Sequence, residues 1–104
     1  MAAYIIAQLE VTDPETFESY REQVPAAIAK HGGRYIVRGG AMETIEGDWQ
    51  PQRLVVIEFP DVAAAKGFYD SPDYQKIVGL RLQSAKSSLL VVEGYTPPAW
   101  QPPL

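Results

Sequence analysis

Apolar and polar residues alternate with the period of a β-strand along two stretches of this chain. Ala3 to Val11 reads AYIIAQLEV, with Ile5, Ala7, Leu9 and Val11 on one face and Tyr4, Ile6, Gln8 and Glu10 on the other. Successive side chains of a strand point to opposite faces, so the first set makes a clean apolar face and the second a mixed one. Arg53 to Phe59 repeats the arrangement. Val55, Ile57 and Phe59 share a clean face, while Leu54, Val56 and Glu58 share one that carries a carboxylate. Two such strands predict a sheet covered by helices on its clean side, with the mixed side meeting water, a partner sheet or a ligand.

Between these strands the period changes. Phe17, Tyr20, Val24, Ala27 and Ile28 fall on one face of a helix. Thr12-Asp13-Pro14-Glu15 opens it, either with Asp13 as cap and Pro14 in the first turn or with Thr12 and Glu15 as a capping box. Pro25 removes one backbone hydrogen bond inside the run and predicts a kink rather than an end. Lys30-His31-Gly32-Gly33 stops the helix. Arg34 to Arg38 reads as a second strand. Gly39-Gly40 is expected to bulge it, Ala41 to Glu46 to resume it, and Gly47 to Pro51 to turn it into the strand at Arg53.

Asp61 then caps a helix through Phe68 and Tyr69, and Ser71-Pro72-Asp73 breaks and restarts it. Tyr74, Ile77, Val78 and Arg81 follow at helical spacing, Ser88 to Glu93 makes a last strand, and Gly94 ends it. The order β-α-β-β-α-β with right-handed crossovers predicts an α+β fold of the ferredoxin-like kind around a four-stranded antiparallel sheet. Residues 1–95 form the expected domain, and 96–104 a proline-rich tail whose Trp100 is a candidate latch.

Composition narrows the function classes. A chain of 104 residues with net charge −4 and no basic run lacks the clustered cations that a nucleic-acid partner requires. Without cysteine there is no disulfide, thiolate metal site or thiol nucleophile. No apolar run approaches the ~20 residues of a membrane span, and a cytoplasmic location is the expectation.

Taken together, YIIAQLEVTDPETFESYREQVPAAIAKHGGRYIVRGG, the EGDWQP turn, RLVVIEFPD, FYDSPDYQ and the closing LLVVEG resemble the uncharacterised family called domain of unknown function 1330. The resemblance spans residues 3 to 94. It implies a dimeric α+β barrel, in which two ferredoxin-like protomers pack sheet against sheet and cover the mixed faces. It also implies kinship with cofactor-independent monooxygenases, muconolactone isomerases and haem-binding chlorite dismutases. It brings no established reaction with it.

Candidate chemistry is sparse. His31 is the only histidine and a candidate general base, although a cationic side chain at a helix end also serves the helix dipole. Glu58 is a candidate acid/base in mid-strand, or half of an ion pair with Arg38 on the neighbouring strand. Tyr69 and Tyr74 flank the helix break and offer hydroxyls to a ligand or pack there half-buried. Arg81 is a candidate clamp for an anionic group, or lies along the helix surface. Trp49 lids a pocket, anchors a partner or folds back on its hairpin. No metal set and no cofactor is expected, and a single histidine speaks against haem. Two functions follow. One is a small-molecule-binding protein or cofactor-independent enzyme with a cleft between sheet and helices. The alternative is a non-catalytic homodimeric interaction or scaffolding module.

Overall fold

Ala3–Val11 (β1) and Arg53–Phe59 (β3), the two alternating stretches, pair antiparallel at the centre of a four-stranded sheet. The computed structural model describes residues 1–96. Arg34–Arg38 (β2) flanks β3, and Ala85–Glu93 (β4) flanks β1, so the order is β2-β3-β1-β4. Every pairing is antiparallel, the arrangement expected of a ferredoxin-like fold. Pro14–Lys30 (α1), Val62–Asp70 (α2), Pro72–Gln75 (α3) and Val78–Ser84 (α4) supply the connections. The register aligns the clean faces: Leu9 stands between Arg53 and Ser87, Ala7 between Val55 and Leu89, and Ile5 between Ile57 and Val91.

The helix ends follow the local chemistry. Asp13 caps α1 by accepting from the Thr16 amide at 3.2 Å, so the Thr12–Glu15 box is not the device used. Helix α1 runs on through Pro25 to Lys30. Asp61 caps α2, and Ser71 caps α3 while donating its hydroxyl to the Phe68 carbonyl at 2.7 Å. A second interruption at Ile77, which the sequence did not announce, separates α3 from α4. Strand β4 begins three residues earlier than its apolar run, at Ala85.

Two expectations for the β2–β3 connection fail. The bulge lies between Tyr35 and Val37, not at Gly39-Gly40. Gly39 instead ends the strand at φ +70°, its amide donating to the Leu54 carbonyl at 2.9 Å. Nor do residues 41–46 resume a strand; the segment folds on itself, Thr44 Oγ1 donating to the Trp49 carbonyl at 2.8 Å. With no neighbouring backbone to pair with, a weakly patterned stretch has nothing to hold it extended. The proline-rich tail with Trp100 lies outside the described residues.

The core fills the space between the clean face and the helices, centred on Ile5, Ile28, Ile57, Phe59, Phe68 and Tyr74. Gly33 admits the chain into it: a Cβ there would stand 2.6 Å from the Phe59 ring and 2.8 Å from Ile28. Both neighbours are fully packed and neither has room to retreat. Gly33→Ala is therefore expected to cost about 1–3 kcal/mol by overpacking. Denaturant unfolding checks it; an unchanged midpoint would refute the close approach.

Among the described residues no helix covers the opposite face. There the register lines up Val37, Val56, Ile6 and Leu90 across all four strands, with Tyr4 and Val92 beside them. Leu90 is 56% exposed and Val92 42%, in an apolar band framed by the Arg34–Glu58 ion pair at one end and Glu10 and Lys86 at the other.

Candidate functional site

Ala7 is a small residue at the middle of the clean face, with Val55 and Leu89 on either side. A methyl group there cannot reach the helices, and a chamber remains above it. Its apolar walls come from Ile5, Leu9, Val55 and Ile57 of the sheet and from Phe17, Val24 and Phe68 of the helices. The space measures about 40 Å³. That holds a few waters, against the roughly 300–1,000 Å³ of sites that enclose organic ligands.

The charged groups that line it are of one sign. Arg21, Arg38, Arg53 and Arg81 face the chamber, four of the chain's five arginines, together with Tyr20, Tyr35 and Tyr74. No carboxylate and no histidine is among the lining residues. In a chain of net charge −4, this is a local concentration of positive charge against an apolar wall.

Arg21 is exposed on α1 and ion-paired with Glu18 at 3.1 Å, and the other three arginines each have a structural reason for their place. Arg53 is the first residue of β3 and shares parity with Val55, Ile57 and Phe59, so it must point inward. Its guanidinium lies 5.7 Å from the Phe17 ring centre, and its buried Nε has no hydrogen-bond partner among the described residues. Burial, then the like charges of Arg21 and Arg38, pull its pKa below the ordinary arginine value. It remains a cation, but one in an unfavourable setting.

Arg38 owes its direction to the bulge. Tyr35 pairs with Ile57 and Arg38 with Val55, so the extra residue between them returns Arg38 to the inner face. There it stacks 4.4 Å over the Tyr35 ring and donates from Nη2 to the Arg21 carbonyl at 3.1 Å. That carbonyl is the one left without its helical partner because Pro25 has no amide hydrogen. The helix-internal proline and the arginine of β2 are thus complementary parts of one contact.

Arg81 is the deepest, 5% exposed in α4. Its Nε donates to the Tyr74 hydroxyl at 3.2 Å and its Nη1 to Ser87 Oγ. Tyr74 in turn shares a 2.9 Å hydrogen bond with the Tyr20 hydroxyl. Burial and the neighbouring Tyr74 raise the Tyr20 pKa, and burial raises that of Tyr35. Both phenols are therefore neutral donors at physiological pH.

The residues singled out from sequence divide between four places. Arg38, Tyr74 and Arg81 come together at the chamber. Tyr69 lies beyond it, in a shallow cleft between α2 and β4, with its ring 5.4 Å from that of Tyr74. His31 caps the end of α1, its Nδ1 3.0 Å from the Ala27 carbonyl and its ring edge-on to Phe68. Glu58 and Trp49 belong to the outer face. The expected Glu58–Arg38 pair is replaced by Glu58–Arg34 at 2.8 Å, with Tyr4 donating to the other carboxylate oxygen at 3.4 Å. The bulge is the reason: it turns Arg38 away from the face on which Glu58 sits. Trp49 folds back over β1 and donates from Nε1 to Gln8 Oε1 at 2.7 Å, while remaining 61% exposed.

Tyr20, Arg21, Tyr35 and Arg53 are the polar lining residues outside the sequence candidates. The parity of Arg53 with the clean face of β3, and of Tyr20 with the apolar face of α1, was the available signal. Among the described residues no group of His, Asp and Glu is placed to hold a metal ion, and no helix is long and apolar enough to cross a membrane.

Solved structures share this architecture. A protein of unknown function from Rhodopseudomonas palustris superposes with a TM-score of 0.74 at 19% identity, over 92% of this chain and 84% of its own. SnoaB, a cofactor-independent oxygenase from Streptomyces nogalater, superposes with a TM-score of 0.63 at 14% identity, over 95% and 98%. A dimeric ferredoxin-like protein of unknown function from a Jannaschia species gives 0.62 at 16% identity, over 90% and 100%. At these identities the likeness is one of fold. No curated protein matches the chain. The family model that does match runs over residues 2–95, from the first strand to just past the last, and the chain belongs to that family, described as a domain of unknown function (DUF1330).

Proposed function

We propose that the protein is a homodimer, joined through its outer sheet faces, and that each protomer binds a small, largely apolar molecule in the chamber between sheet and helices. The observation that carries the ligand reading is the chamber itself: apolar walls with a few convergent polar groups at the centre of the clean face. The uncovered apolar band on the other face supports the dimer, since a monomer would leave it in water. The dimeric ferredoxin-like protein from Jannaschia is a precedent for such an assembly.

The chamber is narrow in this structure, and admitting a ligand requires the exposed Arg38 and the half-buried Arg53 to swing aside. Their long side chains have the rotamers to do so. SnoaB is a precedent for cofactor-independent chemistry on this fold. The lining here offers binding, orientation and positive charge, but no side chain that ordinarily titrates near neutrality. His31 and Glu58 lie outside it, so their roles in this reading are helix end and outer-face ion pair. The small volume favours the second reading, a non-catalytic interaction module, and one experiment separates the two. Small aromatic acids, lactones and acyl compounds are screened by thermal shift against the wild type and Ala7→Val. Compounds that raise the wild-type melting temperature are expected to lose about tenfold or more in affinity when the added methyls fill the chamber. A flat wild-type response, or binding that survives Ala7→Val unchanged, leaves the interaction module.

A further inference from the structure

Resting on the chamber reading, we infer that the ligand is an acid bound in its ionised form, with its anionic group paired to Arg81 and its apolar body over Ala7. Arg81 is a buried cation without a counter-ion among the described residues. It makes none of the ion pairs formed among the described residues, and its two hydrogen-bond partners, Tyr74 and Ser87, are neutral. A charge removed from water and left uncompensated destabilises the fold, and such charges are ordinarily paired. The rest of the lining repeats the sign. Among the described residues, Arg53 holds a buried Nε with no partner, Arg38 and Arg21 stand at the same chamber, and no carboxylate lines it. Arg53 has the like charges of Arg21 and Arg38 near it, Arg21 is ion-paired with Glu18 at 3.1 Å, and an anion between Arg81 and Arg53 would offset the two guanidiniums that form no ion pair among the described residues and are the least exposed.

The surrounding donors fit the same ligand. The buried hydroxyl of Tyr20 stays protonated and is tied to that of Tyr74 at 2.9 Å, so the pair can turn a hydrogen toward an oxyanion beside Arg81. A guanidinium meets a carboxylate by two parallel hydrogen bonds, which makes a carboxylate or a similarly delocalised enolate the matching group. The body must be small or flat, because the space beneath the arginines is walled by Phe17, Val55 and Leu89.

The test compares matched probes: benzoate and 2-naphthoate against benzamide and 2-naphthamide, titrated calorimetrically into the wild type, Arg81→Met and Arg53→Met. The acids are expected to bind the wild type at least about tenfold more tightly than the amides, the discrimination that a charge-assisted hydrogen bond supplies. Arg81→Met is expected to abolish that preference while leaving amide binding within about twofold, and its own melting temperature should hold or rise because a lone buried charge has been removed. Amides that bind the wild type as well as the acids overturn the anion and leave the chamber. Equal loss of both probe classes in Arg81→Met makes Arg81 a structural residue and overturns the inference. No binding by either class overturns the chamber reading as well. Should Arg81→Met fail to fold, Arg53→Met carries the same comparison from the other side of the chamber, with the same outcomes.

Discussion

Tyr74→Ala is expected to remove most of the stability of this domain. The side chain is 1% exposed, and its ring lies 4.6 Å from that of Phe68, 5.4 Å from Tyr69 and 6.2 Å from Tyr20. Phe68 itself packs on Phe59 at 5.3 Å, so Tyr74 closes a row of rings that joins the short helices to the sheet. Truncating a large buried side chain to alanine costs about 3–5 kcal/mol, because the cavity relaxes only in part. The lost hydroxyl adds to this, since Arg81 Nε and the Tyr20 hydroxyl both bond to it. Leaving buried partners unsatisfied costs about 1–3 kcal/mol more. Against a total of about 5–15 kcal/mol for a small domain, the sum leaves a marginal protein.

Tyr74→Phe separates the two contributions. It keeps the rings packed and removes only the hydroxyl, so the expected loss falls to about 1–3 kcal/mol. Urea unfolding of both variants at one protein concentration reads the difference, which also controls for any contribution of dimerisation to stability. An alanine variant that loses less than about 1 kcal/mol would show that the short helices do not depend on this residue.

Ile6→Lys is expected to dissociate the proposed outer-face dimer while leaving the protomer folded. Ile6 stands in the middle of the outer-face row, between Val56 and Leu90. A two-fold axis brings each interface residue in twice, so one substitution places two ammonium groups in an apolar contact. Hot-spot positions, which cluster near the centre of an interface, contribute about 2 kcal/mol or more, roughly a thirtyfold or greater rise in the dissociation constant. Sedimentation equilibrium over a range of concentrations measures it, with Glu22→Lys on the exposed side of α1 as the control that should leave assembly unchanged. A variant that remains as dimeric as the wild type places the interface elsewhere.

Local chemistry carried most of the fold. The alternation at Ala3–Val11 and Arg53–Phe59 determined which face of each strand is buried, because a strand has only two faces. Asp13, Asp61 and Ser71 cap the helices that follow them, since each supplies an acceptor to amides that a helix start leaves unpaired. The identity of the family was likewise legible in the motifs.

The candidate site was legible only in fragments. Arg38, Tyr74 and Arg81 stand out in the sequence, but what joins them is a bulge, a proline and a small residue at separate points of the chain. Parity along β2 read without the bulge sends Arg38 to the outer face and toward Glu58; one extra residue sends it inward to the carbonyl that Pro25 frees. No local rule couples residue 25 to residue 38. Arg81 has helical spacing that is compatible with the surface, and only the approach of α4 to β4 buries it against Tyr74 and Ser87. The sequence by itself therefore determined the strands, caps and buried faces, which depend on near neighbours. The tertiary structure alone decided where the positive charge gathers, because that depends on how strand register and helix packing bring distant residues to one point.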